Sequence, residues 1–379
     1  MPPFGLLLIG GNQTHQENYA RGLAADGRCK LVAISDGGDI SPPRHELSQQ
    51  LARELAIPYV PDLDAALARE DVQVVCLCPE PERREALTIR CAQAGKHLYL
   101  DKEIATTVAG VRRVAQAIRE AGVFSQTFSL VHTSLGRRAK QALERDAVGP
   151  LLSLHAELFF AKGQAGTADL SRPRQERAAA ERFTFMDSKR ELLCVGWYPL
   201  VLFSWLTGRK VRSVYATTSN YFFAEHQRND VEDYACLMLE LEGDLTGTVT
   251  CGRTGWSSHP GQGVHQVQLV GRTGSLMLDA FRPRLEIFSD TPPWTQPPVP
   301  HPEDPMGFWT STSTQLGVKP KTSWKTVEPE LTNDFRYFVD CLAAQHDSDV
   351  PAALGAHVVE VILAAYRSAA ERRPVSIEI

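Results

Sequence analysis

Residues 94–105 read AGKHLYLDKEIA, and their punctuation decides the architecture. Gly95 stands where a helix C′ glycine belongs. His97 to Leu100 is a short strand run, and Asp101-Lys102 falls at its carboxyl end. Open α/β sheets bind their ligands at that edge. Lys102 is therefore placed to meet a cofactor or substrate, and the flanking sequence favours that reading over a merely solvated lysine.

Upstream, the same rhythm repeats. Gly5 to Gly10 (GLLLIG) is an apolar run bounded by glycine, suited to a parallel strand buried on both faces. Gln16 to Ala25 has helical spacing, and Lys30 to Asp36 is a second strand. Leu47 to Ala56 is helical, Asp62 caps a short helix, and Val72 to Cys78 is a third buried strand. Arg83 to Ala94 and the stretch from Thr106 to Gly122 are helices, and Val123 to Thr127 is a last strand. This β-α alternation predicts a doubly wound parallel sheet, an α/β domain over residues 1–127.

Such sheets bind nucleotides where strand order reverses. The first loop should then carry G-x-G-x-x-G, but its glycine slots hold Gly10, Asn12 and His15. Asn12 tolerates positive φ better than other non-glycine residues, so the turn is expected there. The cofactor contacts expected are Gly10, Gly11, Asn12, Gln13, Thr14 and His15 in this loop, Cys78-Pro79 after the third strand, and Asp101-Lys102. Asp36 ends the second strand about twenty residues past the loop, where a carboxylate accepts from a ribose 2′-hydroxyl and repels the extra phosphate of NADP. The expected cofactor is therefore NAD in preference to NADP.

Beyond residue 127 the pattern changes. Ser134 to Arg145 is helical and Leu151 to Phe160 is a strand. Long β runs follow at Val211 to Thr218, Tyr234 to Glu240, Thr246 to Arg253, Gln266 to Val270, Ser275 to Asp279 and Arg284 to Phe288. Most are consecutive and turn-linked, which predicts a mainly antiparallel sheet and an α+β domain over 128–379. Helices are expected at Leu192 to Leu206, Leu331 to Ala344 and Ala353 to Arg372. Ala161 to Lys189 and Thr291 to Glu328 show no periodicity; Trp294, Trp309 and Trp324 suggest that the second packs on something.

The 379 residues are 43% hydrophobic and 22% charged, an ordinary globular composition of two-domain length. A net charge of −5 argues against nucleic acid as a partner. No uninterrupted apolar run reaches the roughly 18 residues of a membrane span. Phe4 to Ile9 is too short for a signal-peptide core. A cytoplasmic protein is expected. The eight cysteines are scattered without a C-x-x-C pair, and the eleven histidines give no metal-ligand spacing.

Taken in order, these segments resemble the Gfo/Idh/MocA oxidoreductases, which include glucose–fructose oxidoreductase and inositol dehydrogenase. The stretches that carry the resemblance include Gly5 to His15, Leu31 to Asp36, Tyr59 to Leu67, Ala94 to Ala105, Val148 to Phe160, Val195 to Gly208 and Val231 to Gly252. The resemblance implies a Rossmann domain, then a second domain whose sheet face often builds the oligomer, so a homodimer or homotetramer. It implies hydride transfer between NAD(P) and a sugar, cyclitol or related carbohydrate-like substrate.

The chain departs from the family pattern in two places. The usual E-K-P is Asp101-Lys102-Glu103 here, without the proline that aims the lysine. The usual Asp, with His or Tyr four residues later, is Cys194 and Tyr198. A spacing of four places both on one face of a helix. By this resemblance Lys102, Tyr198 and Cys194 are the catalytic candidates, with Tyr198 as proton relay, its phenol lowered by the Lys102 ammonium. His132 and Arg190 are candidate substrate contacts. Two other readings stand beside this one: an NAD-dependent glycoside-cleaving enzyme working by transient oxidation and elimination, and a catalytically weak binding protein.

Overall fold

The chain is described by a computed structural model covering residues 2–255, 263–289, 321–325 and 333–378, apart from positions 162, 165, 178–179, 181, 186 and 283. Trp294 and Trp309 lie outside the described residues, as does the side chain of Trp324.

The first sheet alternates strand and helix: β1 Phe4–Ile9, α1 Gln16–Ala24, β2 Cys29–Ser35, α2 Pro42–Glu54, α3 Leu63–Leu67, β3 Val74–Leu77, α4 Pro81–Gln93, β4 His97–Leu100, α5 Val108–Ala121 and β5 Ser125–Thr127. Its order is β2-β1-β3-β4-β5, with every pair parallel. The apolar runs read from the sequence are buried on both faces, as parallel strands require: Leu6 to Ile9 and Val74 to Leu77 are essentially solvent-free. Helix ends follow local chemistry. Asp62 accepts from the Asp64 and Ala65 amides, Thr107 accepts from Gly110, and Gly122 ends α5 in the left-handed region. The helix α2 begins five residues earlier than its apolar spacing indicated, because Pro42 and Pro43 sit at its first turn, where a missing amide is harmless.

The second domain contains α6 Ser134–Glu144, β6 Leu151–Ala161, α7 Glu191–Cys194, α8 Trp197–Thr207, β7 Val211–Ser219, α9 Ala224–Arg228, β8 Tyr234–Leu241, β9 Thr246–Thr254, β10 Gly263–Gly271, β11 Gly274–Asp279, β12 Arg284–Ser289, β13 Lys321–Lys325, α10 Asp334–Ala344, α11 Ala352–Glu371 and β14 Val375–Ser376. Its nine strands run β13-β12-β11-β10-β6-β9-β8-β7-β14. All neighbours are antiparallel except β6 and β9. The meander is thus real but split, with β6 inserted between β10 and β9.

The helix expected over Leu192 to Leu206 is broken. Pro199 has no amide to give the Val195 carbonyl, so the Tyr198 amide takes it at 3.2 Å and the turn tightens. Gly196 sits in the break, where a Cβ would lie 2.5 Å from the Leu192 carbonyl. Cys194 and Tyr198 therefore stand on two helices, α7 and α8, and not on one continuous helical face.

The break at residue 127 separates the two sheets but not every contact, because α10 returns to the first domain. Tyr99 of β4 packs its ring against Phe335 and Phe338, and its hydroxyl donates to Asp334 at 3.1 Å. The helix α11 is long and apolar enough on average to cross a membrane, yet 67% of that window is buried inside the protein. It packs on α5, α8 and β7 as a core helix.

Candidate functional site

The loops at the carboxyl ends of β1 and β4 open onto a cleft shared with the second domain. Its lining includes His15 and Lys102 from the first domain and Phe160, Cys194, Tyr198, His226 and Arg253 from the second, around a volume of about 770 Å³.

Lys102 enters from the loop after β4, and a clamp fixes that loop. The buried Arg84 of α4 donates to Asp101 at 2.7 Å and to Glu103 at 2.6 Å. The same guanidinium donates to the Lys102 carbonyl and, through Nε, to the Pro79 carbonyl at 2.9 Å. Asp101 also accepts from the Tyr19 hydroxyl and from the Cys78 thiol. Glu103, in the slot of the missing proline, lies in the left-handed region at φ 51°. A non-glycine residue is strained there, and the ion pair with Arg84 holds it. Arg84 was not a sequence candidate: an arginine on a helix gives no sign that it faces inward.

Above the clamp, the Lys102 ammonium is buried and lies 5.2 Å from the centre of the Tyr198 ring. Among the described residues it has no carboxylate oxygen within 4 Å. Burial disfavours its charge, but Tyr198, Glu103 and Asp101 outweigh burial and hold it protonated. The balance at Tyr198 is the reverse of the expected one. Burial raises its phenol above the ordinary value, and the Lys102 ammonium only partly offsets that. Burial, with Glu103 adding to it, likewise pushes the Cys194 thiol up to about 12. Cys194 is thus a neutral group at the cleft wall and does not replace an ionised carboxylate.

The loop after β1 departs from expectation in its turn. Positive φ falls at Gly10, Gln13 and His15, not at Asn12. A Cβ on Gly10 would lie 2.6 Å from the Cys78 carbonyl, so only glycine lets these strand ends meet. Asn12 turns toward α2, where its amide side chain donates to Glu54 at 3.0 Å. Thr14 donates to the Gly11 carbonyl at 2.8 Å, which folds the loop onto itself. His15, at φ 130°, points to the β4 edge with Nδ1 3.6 Å from Asp101.

Asp36 stands at the end of β2 as the strand reading required. It accepts from the Ser48 hydroxyl, and Arg83 lies 3.9 Å away. Arg83 is also shared with Asp39 at 2.6 Å and Glu80 at 3.4 Å. Three carboxylates around one guanidinium leave no spare positive charge for a 2′-phosphate. His132 and Arg190 lie elsewhere. His132 is buried under the Tyr337 ring at 3.7 Å, and Arg190 is held by Glu232 at 3.4 Å and the Arg182 carbonyl at 2.8 Å. Neither lines the cleft.

A nicotinamide dinucleotide fits this edge. Among the described residues, four buried polar atoms beside it lack a hydrogen-bond partner: Ser35 Oγ and Arg83 Nε next to Asp36, and His15 Nδ1 and Glu103 Oε1 next to the Lys102 loop. The start of α1 supplies the positive end of a helix dipole for a pyrophosphate, and Asp36 supplies an acceptor for ribose hydroxyls.

A Rossmann sheet whose strand ends face a cleft completed by a second, largely antiparallel sheet defines a two-domain oxidoreductase architecture. Residues 4–128 match the model of an oxidoreductase family with an NAD-binding Rossmann fold, and residues 137–277 match the GFO/IDH/MocA C-terminal domain. The chain belongs to the Gfo/Idh/MocA oxidoreductase family. Glucose-fructose oxidoreductase domain-containing protein 2 of Homo sapiens is 24% identical over 243 residues, 61% of this chain and 58% of that protein. The chain thus spans about three-fifths of the length of the curated relatives it matches. An oxidoreductase domain protein from Kribbella flavida has the same fold over 100% of both chains, with a TM-score of 0.74 at 18% identity. Levoglucosan dehydrogenase, solved with NADH and L-sorbose, likewise matches over 100% of both chains with a TM-score of 0.73 at 17% identity.

Burial, partly offset by Ser48 and Arg83, pushes the Asp36 carboxyl up to about 6. A raised carboxyl contributes stability only below its unfolded value near about 4 and loses it as pH rises through 6. Accepting a ribose hydroxyl has the opposite demand, since the ionised form is the stronger acceptor. NADH affinity is therefore expected to rise roughly tenfold between pH 5 and 7.5, and to become flat with pH in Asp36→Asn. Calorimetric titration across that range checks both.

Proposed function

We propose that this protein is an NAD-dependent oxidoreductase that moves a hydride between the nicotinamide and the CH–OH carbon of a sugar, cyclitol or related polyol. The observation that carries this reading is the buried Lys102 ammonium, held over Tyr198 at the strand-end cleft without a carboxylate partner within 4 Å among the described residues. The dinucleotide supplies the hydride donor or acceptor. This chain's own residues supply the proton and the charge.

Lys102 hydrogen-bonds the reacting oxygen and stabilises the negative charge that develops there. Tyr198 passes its hydroxyl proton to that oxygen and is replenished from Lys102. Because both groups hold their protons at neutral pH, the geometry supports carbonyl reduction most directly: hydride to carbon, proton to oxygen, alcohol as product. The solved relative with NADH and L-sorbose is consistent with a carbohydrate in this cleft. Asp36, with the Arg83 charge shared among three carboxylates, favours NADH over NADPH.

Tyr198→Phe removes one oxygen from a side chain whose ring packs against Phe128 and Phe160. Turnover with a panel of keto-sugars is expected to fall about a hundredfold or more, the size of a lost proton relay. NADH binding is expected to be unchanged. Turnover within about threefold of the parent would overturn the role given to Tyr198.

A further inference from the structure

On the second-domain wall of the cleft, three residues that no sequence pattern singled out come together. Glu191 of α7 is fully buried and accepts from Arg253 Nε of β9 at 2.7 Å and from Arg253 Nη2 at 3.3 Å. The ring of His226, on α9, meets the same carboxylate through Nε2 at 3.1 Å. All three line the cleft, beside Cys194.

The arrangement leaves hydrogen-bonding capacity unused. A guanidinium carries five N–H donors, and Arg253 uses two of them among the described residues. His226 is 4% exposed, yet its Nδ1 has no hydrogen-bond partner among the described residues. The exposed Lys189 lines the same cleft and has no carboxylate within 4 Å among the described residues. Among the described residues, the cleft's carboxylates are by contrast all engaged. Glu191 is held by Arg253 and His226, while Asp187 and Glu225 both pair with Arg228, at 3.1 and 3.3 Å. Two ammonium groups of the cleft, Lys102 and Lys189, are thus without a carboxylate within 4 Å among the described residues.

We propose that this wall of the cleft binds an oxyanion, a carboxylate or a phosphate, carried by the carbohydrate whose CH–OH carbon meets Lys102 and Tyr198. Arg253 grips the anion through its unused donors, His226 Nδ1 adds a hydrogen bond, and Lys189 adds charge at the rim. A neutral polyol would leave these donors without a charged counterpart. The substrate class is therefore an acidic or phosphorylated sugar. This rests on the oxidoreductase reading above.

The test is calorimetric titration of the NADH-saturated protein with D-glucuronate, D-glucose 6-phosphate and D-glucose, which share a ring and differ in charge at one end. The result expected is that at least one charged sugar binds tenfold or more tighter than glucose, and which of the two does so identifies the oxyanion. The preference should shrink at least threefold in Lys189→Ala, whose exposed side chain is not needed for folding, and vanish to within twofold in Arg253→Gln. Binding of all three sugars within twofold, no binding of either charged sugar, or a preference that survives both variants would overturn the proposal. NADH titrated alone separates the failures. NADH bound without a charge preference sinks this inference only, whereas no NADH binding sinks the oxidoreductase reading beneath it.

Discussion

Replacing Arg84 with alanine is expected to destabilise the protein by about 3–5 kcal/mol, the usual consequence of removing one partner of a buried ion pair. Arg84 is enclosed between Asp101 and Glu103, and both carboxylates are themselves buried. Without the guanidinium, two negative charges remain in a low-dielectric pocket, the Lys102 carbonyl loses a donor, and nothing holds Glu103 at its strained φ. Arg84→Lys should recover little, because one ammonium cannot span two carboxylates and two carbonyls as the guanidinium fork does. Chemical denaturation midpoints check the stability. A second readout separates positioning from simple structural support. In Arg84→Lys, assayed well below its melting temperature, kcat for sugar turnover should fall at least about tenfold, because Lys102 loses its aim, while NADH affinity changes little. Unchanged stability in Arg84→Ala, together with unchanged kcat in Arg84→Lys, would refute the clamp.

Lys102→Ala carries the next largest effect, a loss of turnover of at least about a hundredfold, or about 2.7 kcal/mol of transition-state stabilisation. The fold should survive. Removing the ammonium relieves its burial, and the carboxylates beside it keep Arg84 as their partner. Lys102→Arg should not rescue turnover, since the planar guanidinium cannot place a single donor where the ammonium sits. Thermal melting and steady-state kinetics on the same preparation decide the matter. Turnover retained with an intact fold would show that Lys102 is a buried structural cation.

These two residues show where sequence reading stops. Lys102 was legible because a strand followed by a short loop puts its residues at a known edge, and strand ends are where open sheets bind ligands. Arg84 was not, because its role depends on an inward rotation of α4 toward a loop about eighteen residues further on. Glu103 looked like the loss of a proline, yet the structure shows a different device doing a similar job, an ion pair in place of a ring constraint. Cys194 and Tyr198 were expected with Lys102 and on one helix; all three line one cleft, but on two helices and a loop. The missing amide of Pro199 breaks that helix, and the sequence contained the proline without showing that the Tyr198 amide would take over the Val195 carbonyl and tighten the turn. Asn12 was expected to make the turn of the first loop. The turn fell on Gln13 and His15 because α2 captures Asn12, a contact between segments some forty residues apart.

Periodicity and punctuation in the chain alone determined most of the strand and helix sequence, though not α9, β13, β14 or the α7–α8 break, together with the parallel first sheet, the largely antiparallel second one and the edge at which Lys102 emerges. Each of these follows from local rules: alternating burial, helix caps, glycine at positive φ and proline at first turns. Only the tertiary structure decided the balance of charge in the cleft. Burial outweighs Lys102 at Tyr198, three carboxylates share Arg83, and Glu191, His226 and Arg253 converge from α7, α9 and β9. Desolvation and Coulomb interactions depend on which groups face one another across the fold, and sequence separation carries no record of that distance.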